Sequence, residues 1–132
     1  MVDYAKRRGV SDKVEFAGWI TYNELHKYMK NLDICVLPFD NSDISHYSMP
    51  MKIHEYSLCK KPIISAPLPE IVKTYSDFVL YASTPREYAS CVKLLVENQE
   101  KRRNIVQNAY LIAQKNLWTN LAEKYEEVLS SF

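Results

Sequence analysis

The sequence predicts an α/β fold, a Rossmann-like parallel sheet flanked by helices, in a single domain over residues 1–132. Three observations carry that prediction. Short apolar runs at residues 14–17, 34–37, 62–65 and 78–81 alternate with segments of helical periodicity, the order that gives parallel pairing. The run Ile34-Cys35-Val36-Leu37 is apolar at every position, as a strand covered on both faces should be. Composition is that of a globular domain, 47% hydrophobic and 25% charged, in a chain long enough to bury a core.

The elements follow in order. Residues 2–8 read as helical turns ended by Gly9, the residue that tolerates a left-handed cap. Val14-Glu15-Phe16-Ala17 reads as a strand closing on Gly18. Thr21-Tyr22-Asn23-Glu24 has the pattern of a capping box, and Leu25, Tyr28, Met29 and Leu32 follow at helical spacing. After the Ile34 strand, Pro38 is a stop and residues 39–47 form a polar loop. Pro50 suits the first position of a short helix, where its missing N–H costs nothing. Pro62-Ile63-Ile64-Ser65 is the next buried strand, and Pro67-Leu68-Pro69 forces a turn. Phe78-Val79-Leu80-Tyr81 is a fourth strand. Thr84-Pro85-Arg86-Glu87 repeats the cap pattern and opens a helix to about residue 98; two more helices cover residues 100–115 and 119–130. In the last, Trp118, Leu121, Ala122, Tyr125, Val128 and Leu129 form an apolar stripe, which makes Trp118 a structural residue.

Composition excludes several classes of function. The net charge of +1 is not that of a nucleic-acid binder, and the clusters Lys6-Arg7-Arg8 and Lys101-Arg102-Arg103 suit solvated helix faces. Two glycines, Gly9 and Gly18, cannot assemble a glycine-rich phosphate loop, so a P-loop or dinucleotide fingerprint is excluded. The three cysteines lack metal-ligand spacing and are read as free thiols in a reducing, cytoplasmic setting. No apolar run approaches 18 residues, so no transmembrane segment is expected; peripheral membrane contact through a helix face stays open. His26, His46 and His54 are scattered, without triad-like partners, and are assigned to surface or packing.

The richest stretch is Ser48-Met49-Pro50-Met51-Lys52-Ile53-His54-Glu55-Tyr56, followed by Lys61-Pro62-Ile63-Ile64-Ser65. It puts a carboxylate, Glu55, near the carboxyl ends of parallel strands, where open α/β sheets bind ligands. With Val14-Glu15-Phe16-Ala17-Gly18, Glu24-Leu25, Leu32 to Pro38, Leu68-Pro69-Glu70 and Trp118 in matching order, the chain resembles the carboxyl-terminal, nucleotide-sugar-binding half of a GT-B type, family 4 (group 1) glycosyltransferase.

The resemblance implies a donor-binding module for a nucleotide-diphosphate sugar, of hexosyltransferase type and independent of metal, with the nucleotide sugar as substrate and no further cofactor. The glutamate matching Glu55 would accept hydrogen bonds from ribose hydroxyls. Tyr47, Ser48, Met49, Pro50, Met51 and Lys52 would form the loop and helix start that meet sugar and diphosphate, a helix amino terminus being an anion site and lysine a compact phosphate partner. Lys52 stands at i,i+3 from Glu55, which equally suits an ordinary ion pair. Gly18 would supply a turn that lets the nucleotide approach, and Tyr22 would neighbour the base or ribose. No catalytic residue is assigned.

Three departures from the family pattern qualify this. Tyr47 stands where many relatives carry a second glutamate, eight positions before Glu55. Lys60 replaces a usual glycine; a positive φ there would cost about 1 kcal/mol, so a reshaped turn is expected. The two strands and the Arg/Lys pair that usually open this half, and the acceptor half that often supplies a histidine, precede the matched region. Two strands would then fall between the Val14 and Ile34 runs, and exposed sheet edges would favour a homodimer or an acceptor-domain partner. The alternative function is a truncated, non-catalytic binding or assembly subunit.

Overall fold

The structure, a computed structural model, describes residues 1–39 and 47–131. Most of the expected polar loop, His46 included, lies outside the described residues. Helix α1 (Val2–Arg7) ends as foreseen. Gly9 takes φ +66 and donates to the Lys6 carbonyl while Val10 N–H reaches back to Ala5, satisfying two of the carbonyls left open at a helix end. A 3₁₀ turn at Ser11–Lys13 follows.

The first expected strand does not form. Residues 14–17 have no ladder partner, and Val14 and Phe16 are exposed. The resemblance puts two further strands between this run and the Ile34 run; among the described residues nothing occupies that place, and an isolated extended segment gains no ladder hydrogen bonds. Helix α2 (Tyr22–Asn31) begins at Thr21, but the capping box is replaced by a side-chain pair. The Thr21 hydroxyl donates to the Glu24 carboxylate at 2.7 Å, and neither side chain reaches the backbone. Met29 is the buried residue of its apolar face; Tyr28 and Leu32 are exposed.

The sheet has three parallel strands in the order β1 (Cys35–Leu37), β2 (Ile63–Ser65) and β3 (Leu80–Tyr81). Cys35 pairs with Ile63 and Ile64 with Leu80. Central β2 is buried on both faces, and Ile63 and Ile64 point into different apolar clusters. Edge strand β1 alternates instead: Cys35 and Leu37 are buried and Val36 is 41% exposed, so the expectation of burial on both faces fails there. Strand β3 is shorter than the predicted run because Ser76–Phe78 winds into a 3₁₀ turn.

Helix α3 (Met51–Leu58) follows Pro50, which is the cap rather than the first helical residue. Its end corrects the expectation at Lys60. The turn is not reshaped: Lys60 adopts φ +54, with Lys60 N–H to Ser57 and Lys61 N–H to Tyr56, the same bond pattern that Gly9 makes. The Lys60 ammonium lies 4.6 Å from the Tyr110 ring centroid, an attraction that offsets part of the strain. The Pro67-Leu68-Pro69 turn opens directly into helix α4 (Pro69–Tyr75), with Pro69 at its first turn and Ile71 and Tyr75 buried four residues apart. Helix α5 (Pro85–Glu97) carries the full capping box: Thr84 Oγ1 accepts from Glu87 N–H, and the Glu87 carboxylate accepts from the Ser83 and Thr84 amides. Those amide bonds hold the Glu87 carboxyl below its ordinary pKa.

Helix α6 (Gln99–Lys115) inserts Ile105, Ala109 and Ala113. One apolar cluster joins Leu37, Ile53, Ile63, Leu68, Ile71, Tyr75, Val79 and Ala109; the other joins Ile64, Ala82, Leu95 and Ile105. Among the described residues, the buried serine hydroxyls are satisfied locally, Ser57 on the Ile53 carbonyl and Ser65 on that of Ala66. Helix α7 (Trp118–Ser130) has no buried residue; Tyr125, Val128 and Leu129 of its stripe are exposed. Among the described residues, no helix is long and apolar enough to cross a membrane.

Candidate functional site

The segments leaving the carboxyl ends of β1 and β2 lead into α3 and α4, and these two helices wall a groove with the junction of α6 and α7. Helix α3 shows the groove one face, at positions 51, 54, 55 and 58, the spacing of adjacent turns. Two cavities meet there. The larger, about 550 Å³, is within the usual range for small-molecule sites. Its polar wall groups are His54 and Glu55 from α3, Glu70 and Thr74 from α4, and Asn116. Met49, Met51, Leu58, Leu117, Trp118 and Leu121 supply apolar surface. The smaller, about 250 Å³, lies toward α2 between Asn23, Leu25, His26 and Met29. Glu55 and Tyr22 line both.

Glu55 is thus the shared carboxylate. It is half-buried and accepts a 2.7 Å charged hydrogen bond from Lys52 Nζ, one turn earlier. The i,i+3 pair anticipated from spacing is present, leaving the second carboxylate oxygen, Oε1, outside it. Tyr22 projects from the first turn of α2 with 83% of its surface exposed, a ring able to cover a ligand held at Glu55. Glu70 is more open, with a loose 3.9 Å pair to Lys73.

His54 is fixed from behind. Its Nδ1 lies 2.8 Å from the hydroxyl of Tyr75, a fully buried side chain on α4, and the rings are tilted 49° at 5.7 Å. Burial lowers the His54 pKa, so the ring is neutral at physiological pH. Burial raises the Tyr75 phenol to about 12, keeping it protonated. Tyr75 is followed by Ser76 at φ +45, whose carbonyl accepts from Tyr81 Oη at 2.9 Å. Burial also pushes the Cys35 thiol up to about 11, which makes it a packing residue rather than a nucleophile.

Of the residues singled out from sequence, the fold brings Glu55, Tyr22, Met49 and Met51 together on the cavity walls, with Lys52 bound to Glu55 and Pro50 capping the helix. Ser48 and Tyr47 adjoin the helix start outside the walls of both cavities, and Tyr47 is 85% exposed. Gly18 takes φ +67 with open space where a Cβ would sit; it meets a turn requirement and lies off both cavity walls. Trp118 corrects its structural assignment: it is 76% exposed and lines the larger cavity. His54, assigned from sequence to surface or packing though flanking the candidate pocket, is on the wall of the larger cavity, and Glu70, Thr74 and Asn116 were not singled out as site residues. The available signals were the 51/54/55/58 spacing and the i,i+4 pair Glu70 and Thr74. Among the described residues, no three His, Cys, Asp or Glu side chains cluster as metal ligands would.

Comparison with known proteins adds a second line. The family described as glycosyl transferases group 1 matches residues 1–112. The chain is 30% identical over 91 residues to the putative teichuronic acid biosynthesis glycosyltransferase TuaH of Bacillus subtilis (strain 168). That alignment takes in 62% of this chain and 23% of the relative, so the chain matches less than a quarter of that protein's length. No solved structure matches.

Proposed function

Since the chain belongs to the group 1 glycosyl transferases, we propose that it binds the nucleotide-diphosphate sugar from which such an enzyme takes its glycosyl group. The observation that carries this reading is Glu55, a half-buried carboxylate shared by two adjoining cavities and oriented by Lys52. A carboxylate oxygen is a natural acceptor for the two hydroxyls of a ribose, and Tyr22 can stack beside it. Lys52 and the amides at the start of α3 offer the cationic surface a diphosphate requires. Transfer to an acceptor hydroxyl would be driven electrostatically, by donors that hold the charge developing on the departing diphosphate. The acceptor would be held by an acceptor domain outside this chain. No metal is required in this reading. A reducing cytoplasmic location suits the free thiols.

Calorimetry with a panel of UDP- and GDP-sugars tests the assignment. Glu55→Ala should weaken the best binder at least about tenfold, the scale of a lost hydrogen bond to a charged group. Equal binding by the variant and the parent chain would sink it.

A second reading, a non-catalytic assembly subunit, draws on different observations: the outer edge of β1 and the exposed stripe of α7. It is favoured over the first if the chain forms a stable dimer and binds no nucleotide sugar.

A further inference from the structure

Resting on that reading, we propose that His54 donates a hydrogen bond from Nε2–H to a hydroxyl or ring oxygen of the donor's sugar in the larger cavity, and that Tyr75 is the positioning residue that fixes the imidazole for this task.

His54 has two nitrogens, and Nδ1 is occupied by the Tyr75 hydroxyl at 2.8 Å. Tyr75 is wholly buried and anchored at the end of α4, next to the left-handed Ser76 that Tyr81 ties down. Its phenol keeps its proton far above neutral pH and so can donate, and donation to Nδ1 is the direction the proposal assigns to this bond. A neutral imidazole that accepts at Nδ1 carries its proton on Nε2. His54 lines the larger cavity, and Nε2 is the nitrogen that Tyr75 leaves available to it.

The cavity itself selects the ligand group. Two carboxylates, Glu55 and Glu70, line it, and no lysine or arginine is on its described wall. A phosphate placed there would meet like charge, whereas an uncharged polyol finds acceptors for its hydroxyl protons. Ionised carboxylates cannot donate, so ring and ether oxygens need another partner. Asn116 already gives one amide hydrogen to the Ile112 carbonyl. Thr74, Tyr22 and the Trp118 indole also carry donors, and His54 is the one whose ring a wholly buried side chain holds in place. Trp118 and Leu121 add the apolar surface that the C–H face of a sugar ring can cover.

Calorimetry on the intact chain decides this with UDP- and GDP-sugars, the parent UDP and GDP, and the matching free methyl glycosides. His54→Phe should weaken the best nucleotide sugar about fivefold to tenfold while leaving its parent nucleotide unchanged, the loss expected for one hydrogen bond. His54→Gln, whose amide can replace the Nε2–H, should restore binding to within about twofold and gives the comparison should the Phe variant not fold. Nitrogen-15 NMR should show the Nε2–H tautomer in the parent chain and a mixture of tautomers in Tyr75→Phe. An Nδ1–H tautomer in the parent chain overturns the inference whatever binds. So does an equal loss for nucleotide and nucleotide sugar in His54→Phe, or a free glycoside that binds as tightly as the nucleotide sugar and with the same His54 dependence. Failure of the functional reading looks different: no nucleotide or nucleotide sugar binds, and Glu55→Ala behaves like the parent.

Discussion

The stretch from Cys35 to Ala113 and the segments on either side of it are comparably apolar in sequence and occupy different physical states. Among the described residues, the buried apolar side chains outside that stretch are Ala5 and Met29. Inside it, Ile53, Ile64, Ile71, Tyr75 and Leu95 are wholly removed from solvent. Outside it, Trp19 is 94% exposed and Leu129 is 72% exposed. Both regions carry good patterns: the stripe of α7 is as regular as the face that α6 buries. A pattern specifies which face of an element is apolar, and burial needs a second surface to meet that face. Between β1 and α6 the surfaces meet. In residues 14–19 and along α7 they do not.

The sharpest way to break this contrast is at the centre of the sheet. Ile64→Ala should destabilise the chain by about 2–5 kcal/mol in chemical denaturation, because it leaves a cavity where both strand neighbours and two helices converge. A loss below about 1 kcal/mol would mean that the central region is no better packed than its flanks. Next comes the backbone. Lys60→Val puts a β-branched residue at φ +54 and removes the cation over Tyr110, and should lower stability by about 1–2 kcal/mol. Lys60→Asn, which tolerates that conformation, should lose less than the Val variant. The smallest effect belongs to the flank: Leu129→Ser should change stability by no more than about 0.5 kcal/mol. A larger loss would show that the α7 stripe is covered in solution.

The same division governs what the sequence disclosed. Strand β2 was legible because a continuous apolar run between prolines and polar turns has few other uses, and Thr84 with Glu87 announced its helix start because both halves of the capping box lie within four residues. Thr21 and Glu24 share that grammar, yet their side chains pair with each other, a choice local sequence does not decide. The run at residues 14–17 has the residues of a strand, and a strand exists only through a neighbour. Glu55 could be marked from its motif. The setting of His54 could not, because the Tyr75 that contacts it lies 21 positions away and is brought to it by the β2–α4 turn. Trp118 looked like a core residue from its helical stripe, and only the fold reveals that the groove passes in front of it.

The left-handed turn at Lys60 bears on more than the end of a helix. Successive residues of α3 point about 100° apart, so its rotational phase decides which side chains the groove receives. In the present phase these are Met51, His54, Glu55 and Leu58, and Ile53 and Ser57 turn inward. A slip of a single residue would aim Tyr56 where Glu55 now points and bring a buried aliphatic chain toward solvent. The helix spans about 12 Å, short enough that a clamp at one end is felt at the other. Two backbone bonds and a cation resting on Tyr110 provide that clamp. The angular setting of the carboxylate is therefore held, in part, from the carboxyl end of the helix, by a lysine that never touches the groove.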